Sequence, residues 1–200
     1  MIDMRPVLLV VGVLLATLGC AMMLPALYDL TLGNEDWLIF AAASMLTLFV
    51  GIGLAFANRG RTASFSIKQA FLLTNLSWLS MTAFGALPFA WSQLEVSYTD
   101  AFFEAMSGIT TTGATVFTNL DKAPPGLLLW RGLLQWLGGL GIIVMAISVL
   151  PMLQIAGMQL FKIEGFETEG KIMPRATQIA GSMSLLYLIL TCFCAAAYYG

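Results

Sequence analysis

The stretch AFFEAMSGITTTGAT, residues 101–115, is too short to cross a bilayer, yet it lies between two runs that are long enough. A spanning helix needs about 20 predominantly apolar residues. Backbone at membrane depth is tolerated only where it is buried in protein or lines a watery path. A half-crossing helix ending in hydroxyls, carbonyls and one glycine is the way an ion selectivity filter is built. On the loop alone, an ordinary Thr/Gly connection would serve as well. The short helix before it and the full spans on both sides favour the filter.

Working outward, the apolar runs predict five spans, at about 7–30, 37–57, 70–91, 126–150 and 178–199. The first is longer than the apolar core of a signal peptide, which is about 7–15 residues, and reads as a transmembrane helix. Leu18-Gly19-Cys20 bears only a faint likeness to a lipoprotein cleavage site. Pro88 lies near the end of the third span, and Pro151 is expected to end or kink the fourth. A polar, partly amphipathic linker follows over about 154–175. The predicted fold class is an all-α integral membrane protein. It has two N-terminal transmembrane helices (1–65), one helix–pore-loop–helix unit (66–150), a cytoplasmic linker (151–177) and the first helix of a second unit (178–200).

Composition narrows the function classes. The 200 residues are 59% hydrophobic and 10% charged, against roughly 25% charged residues in soluble domains. There is no histidine, which removes His-based triads, HExxH zinc sites and haem ligation by histidine. Cys20, Cys192 and Cys194 lie in apolar runs and read as small hydrophobes. A net charge of −2 gives no sign of nucleic-acid binding. No cofactor motif is present.

The charges orient the chain. With the N-terminus inside, the cytoplasmic side holds Arg5, Arg59, Arg61, Lys68, Lys162, Lys171 and Arg175, and the outer side only Lys122 and Arg131. That is a positive-inside bias. Asp29, Glu35, Asp36, Glu95, Asp100, Glu104 and Asp121 fall on or near the outer face. They form either an acid-rich mouth that concentrates cations or loops that simply lack basic residues. Trp37, Trp78, Trp91, Trp130 and Trp136 mostly flank the spans as interface anchors do, with Trp78 and Trp136 as candidates for internal packing.

Thr99 is the expected N-cap of the short helix, with Asp100 in its first turn. The helix is expected to run inward to about Ser107, its negative end toward the membrane centre, with Gly108 letting the chain turn. Thr110, Thr111, Thr112 and Gly113 then offer hard, neutral oxygen donors that suit a dehydrated alkali cation. Gly113 reaches backbone angles closed to other residues and keeps the path clear. Ala114 keeps bulk low beside it. Arg131, inside the fourth span, needs a partner or water. Glu104 is the candidate partner, and snorkelling to the interface is the alternative. Gly138-Gly139-Leu140-Gly141 reads as a close-packing patch, with bending as the other use of such a stretch.

At these residues the chain resembles the TrkH branch of the Trk/Ktr/HKT potassium-transporter superfamily. The stretches that carry the resemblance are Phe102 to Thr115, LLLWRGLLQWLGGLGIIVMAISVL at 127–150, Pro151-Met152-Leu153, and Gly157-Met158-Gln159-Leu160. It extends over nearly the whole chain, since members of this branch begin with two extra helices. The resemblance implies four covalently linked repeats around one axis, each an outer helix, pore helix, filter loop and inner helix. It puts the family's filter glycine at Gly113 and the carbonyl donors at Thr110, Thr111 and Thr112. Ala114, Thr115, Glu104 and Arg131 are the expected filter support. Glycine at that position goes with potassium rather than sodium preference in related plant members. The family's gating loop, in its third inner helix, has no counterpart in these residues.

One filter strand cannot coordinate an ion alone. The resemblance therefore implies part of a protein more than twice as long or, failing that, one piece of an assembly. It also implies potassium uptake across a bacterial plasma (inner) membrane by a multi-pass chain with a cytoplasmic N-terminus. The implied partners are a second full-length copy, as a homodimer, and a TrkA-type nucleotide-binding regulatory subunit against the cytoplasmic face near 158–175. Two other readings stay open. An ion-coupled secondary transporter needs an ionisable group near mid-membrane, for which Glu104 is the candidate. A non-conducting membrane assembly subunit needs no filter. For an enzyme there is no nucleophile–base pair, metal cluster or phosphate loop.

Overall fold

The computed structural model describes residues 3–60, 66–94, 96–118, 123–158 and 172–199. Seven helices and no strand are found among them: α1 (Arg5–Leu32), α2 (Trp37–Ala57), α3 (Ile67–Gly85), α4 (Leu87–Trp91), α5 (Tyr98–Ile109), α6 (Pro125–Met158) and α7 (Ile172–Tyr199). The chain divides into two units, 1–138 and 139–200, each taken by itself. Five stretches among the described residues are long and apolar enough to cross a membrane, as the sequence predicts. The all-α membrane architecture follows. The fifth such stretch is Gly181–Tyr198, although α7 itself begins earlier, at Ile172.

In the first unit, α1 and α2 form an antiparallel pair. Between lipid-bathed helices there is little hydrophobic driving force, so close packing and hydrogen bonds hold the pair. A Cβ on Gly12 would stand 2.7 Å from the Gly51 carbonyl, so the backbones touch there. Further along, the Ser44 hydroxyl donates to the Gly19 carbonyl at 2.7 Å. The opposite surface is apolar and open, with Met45 66% and Phe49 79% exposed, as a lipid-facing surface should be.

The third predicted span is two helices. Pro88 has no N–H to give the Phe84 carbonyl one turn back, so α3 stops at Gly85 and α4 restarts at Leu87. A capping box of Ser66 and Gln69 fixes the start of α3. The fourth span differs in the other direction. Its helical backbone passes through Pro151 and continues to Met158, so Pro151 does not end it. Of the predicted linker, 159–171 lies outside the described residues.

Trp130 corrects the expectation of an interface anchor. It is fully buried in a core with Phe40, Phe89, Leu127 and Leu134. Its indole N–H donates to the Gly85 carbonyl at 2.9 Å, and its ring meets Phe40 edge-on, 6.3 Å between centroids. The carbonyl it satisfies is one that the break between α3 and α4 leaves open. In the second unit, a Cβ on Gly139 would stand 2.9 Å from the Tyr187 hydroxyl, so α6 and α7 approach closely.

Candidate functional site

α5 has 12 residues, which at 1.5 Å per residue is about 18 Å, short of the roughly 30 Å hydrocarbon core. Its N-cap is Ser97, not Thr99: the Ser97 hydroxyl accepts from Asp100 N at 3.1 Å and donates to the Asp100 carboxylate at 2.7 Å. Serine at that position lets the acidic side chain close the cap reciprocally. Ala101, Glu104, Ala105 and Gly108 form one buried face, at the helical spacing of 3 and 4.

The helix runs two residues past Ser107, to Ile109. Gly108 is therefore not the turn. It sits inside the helix, where an added Cβ would come within 3.1 Å of Leu134. The turn falls at Thr111 and Gly113, whose φ values are +58° and +79°. A left-handed threonine is costly because its Cβ crowds the backbone. Three amides in the turn repay it: Thr111 N donates to Gly108 O at 2.9 Å, and Thr112 N and Gly113 N to Ser107 O at 2.9 and 3.3 Å. These bonds close the C-terminus of α5, whose last carbonyls would otherwise be bare.

The consequence lies in what remains free. Among the described residues, the carbonyls of Thr110, Thr111, Thr112 and Gly113 accept no hydrogen bond, and the nearest carbonyls that do are those of Gly108 before the run and Ala114 after it. Residues 111–116 are exposed. Thr110 and Thr112 bring their hydroxyls together at 2.8 Å. The four predicted residues thus form one run of free carbonyl oxygens at the end of the half-helix, half-buried at Thr110 and exposed from Thr111 to Gly113.

The predicted support residues are also brought together. Glu104 is fully buried and forms an ion pair with Arg131 of α6, a charge contact without hydrogen-bond alignment. The other Glu104 oxygen accepts from Thr115 Oγ1 and Val116 N, both at 3.0 Å. One carboxylate therefore ties α6 to the strand leaving the loop. With both oxygens so engaged, Glu104 is not free in mid-membrane in the way a proton-coupled carrier would need. Ala114 is held through its carbonyl, which accepts from the Ser107 hydroxyl at 2.6 Å.

Sequence reasoning missed the roles of Ser107 and Gln135, while the packing reading of Gly138 holds. Gln135 Nε2 lies 3.6 Å from where a Gly113 Cβ would stand. A Cβ on Gly138 would overlap the Ile109 carbonyl group, so α6 crosses directly against the end of α5. Gly138 is a packing glycine. The acid-rich mouth also shrinks: Asp29 and Asp36 are 0% and 2% exposed, Glu104 is buried, and Asp100 is used in its cap. Glu95 and Asp121 lie outside the described residues.

The sequence model of the TrkH family, described as a cation transport protein, matches residues 38–199. The chain belongs to this family. Among its relatives are the Trk system potassium uptake protein TrkH of Vibrio parahaemolyticus, 39% identical over 198 residues, and that of Escherichia coli K12, 37% identical over 196. TrkI of Halomonas elongata is 38% identical over 200 residues. These alignments take in 96–98% of this chain but 39–41% of each relative. The crystal structure of the potassium transporter TrkH from Vibrio parahaemolyticus matches with a TM-score of 0.84 at 35% identity, over 99% of this chain and 40% of that one. The chain therefore spans about two fifths of the length of the TrkH-family proteins it resembles.

Proposed function

We propose that this chain is part of a potassium-uptake subunit in which Thr110, Thr111, Thr112 and Gly113 form one of four filter strands. The observation that carries this is the run of four unpaired carbonyls, half-buried at Thr110 and exposed from Thr111 on, that closes the half-helix. The potassium ion sheds its water and is held by carbonyl oxygens, which replace its hydration shell. The negative end of α5 favours the cation. Three equivalent strands come from elsewhere in the full-length protein. Ala114, Thr115, Glu104 and Arg131 keep the strand in register by fixing its exit to α5 and α6. The names of the relatives, all of Trk system potassium uptake, support the substrate.

The positive-inside bias supports a cytoplasmic N-terminus in a bacterial inner membrane. A homodimer of full-length chains and a TrkA-type regulatory subunit on the cytoplasmic side belong to the same proposal.

The test is Gly113→Asp in the full-length protein, expressed in cells that lack other potassium uptake. An aspartate is strained at φ +79° and brings a fixed charge among neutral donors. Potassium uptake should vanish while the amount in the membrane stays normal. Undiminished uptake would reject the filter assignment.

A further inference from the structure

α6 begins with Pro124-Pro125, which supplies no side-chain acceptor for the first amides of the helix. Four N–H groups at a helix start lack intrahelical partners. The first available one, Gly126 N, donates to Asp29 Oδ1 at 3.0 Å. Asp29 is in the last turn of α1, 97 residues away in sequence and fully buried. An acidic side chain at a helix N-terminus both accepts the bond and complements the dipole. The fit leaves no slack, since a Cβ on Gly126 would come within 2.7 Å of the same oxygen. One turn further on, Phe40 of α2 meets the buried Trp130 edge-on. The next residue, Arg131, is the partner of Glu104. Glu104 holds Thr115 and Val116.

Two helices that contribute no residue to the loop thus each touch the start of α6, at Gly126 and at Trp130, within a turn and a half of its contact with the loop's support. We propose that α1 and α2 set the depth of α6 beside the filter loop, and that Asp29 is the positioning residue of this clamp. It acts through Gly126 and the Arg131–Glu104 pair, not on the ion. The transport part of this inference rests on the filter reading above; the clamp itself does not.

The experiment uses the full-length protein with Asp29→Ala, Asp29→Asn and Gly126→Ala. Three quantities are read: membrane abundance, potassium-over-sodium discrimination in uptake, and amide hydrogen exchange of the peptide covering 126–134. D29A should speed exchange there several-fold, the scale of one lost hydrogen bond. It should lower ion discrimination several-fold at normal abundance. D29N keeps an acceptor oxygen and should stay close to wild type in both. If D29A does not accumulate, G126A, which pushes the carboxylate aside, is read in the same way.

Wild-type exchange in D29A or G126A would overturn the clamp, as would D29N behaving like D29A. Faster exchange with unchanged discrimination would overturn the positioning role and leave a plain helix cap. Exchange is measured without transport, so a wild-type protein that moves no potassium would refute the filter reading while the clamp is still decided.

Discussion

Glu104→Gln isolates the charge in the buried pair. Glutamine keeps an acceptor oxygen for Thr115 and Val116 but turns an uncharged amide toward Arg131. The Glu104 side chain is fully buried and that of Arg131 only 18% exposed, so solvent screens the pair weakly. Two unit charges about 4 Å apart attract by roughly 4 kcal/mol at an effective dielectric constant of 20. Removing one member of such a pair costs about 3–5 kcal/mol, because the other charge is left uncompensated. E104Q and Arg131→Gln should therefore each destabilise the protein by about that much. The double variant leaves no buried charge, so it should be at least about 2 kcal/mol more stable than the sum of the singles predicts. Equilibrium unfolding of the full-length protein in mixed micelles, titrated with a denaturing detergent, measures all four corners of the cycle. Additivity within about 0.5 kcal/mol would refute the reasoning, since that is the behaviour of independent sites.

Two further outcomes are expected. Gly138→Ala puts a methyl 2.6 Å from the Ile109 carbonyl carbon and nearer still to its oxygen, where ordinary contact begins at 3.4 Å, so α6 or the end of α5 must give by well over the 0.8 Å that the carbon alone requires. Overpacking of this kind costs about 1–3 kcal/mol. G138A should melt at a lower temperature and take up potassium more slowly; a wild-type melting curve would show that the two helices do not touch there. Asp36, just before α2, has its carboxyl pushed above 3.8, first by burial and then by the neighbouring Glu35 charge. The folded state therefore holds that proton more tightly than the unfolded state, and stability falls as pH rises from about 3.8 through the raised value. Asp36→Asn removes the loss. Its stability advantage in melting experiments should be full at neutral pH and fade on acidification toward 3.8; an advantage that grew in acid would contradict the sign.

The five spans were legible because bilayer thickness demands long apolar runs, and few other constraints act on them. The second span was legible to the residue, Trp37–Ala57, since polar turns bound it on both sides. Helix ends were less so. The end of α5 depended on where its terminal carbonyls found donors, and three amides of the following loop answered that by folding back. The Glu104–Arg131 pair could be guessed from the cost of a charge in a span. The second half of that arrangement, Glu104 on Thr115 and Val116, could not. One signal went unused: two prolines at the start of α6 call for a cap from elsewhere in the chain.

By itself, then, the sequence determined an all-helical membrane chain with a short helix and a Thr/Gly loop between full spans. Each of those features is written in neighbouring residues, through apolar run length, charge and turn chemistry. Tertiary structure decided what depends on residues far apart in the chain. It turned Trp130 inward, put Thr111 in a left-handed conformation and set Asp29 on Gly126 across 97 positions. No local pattern encodes such contacts, because they exist only once the helices have packed and left particular backbone groups with a single available partner.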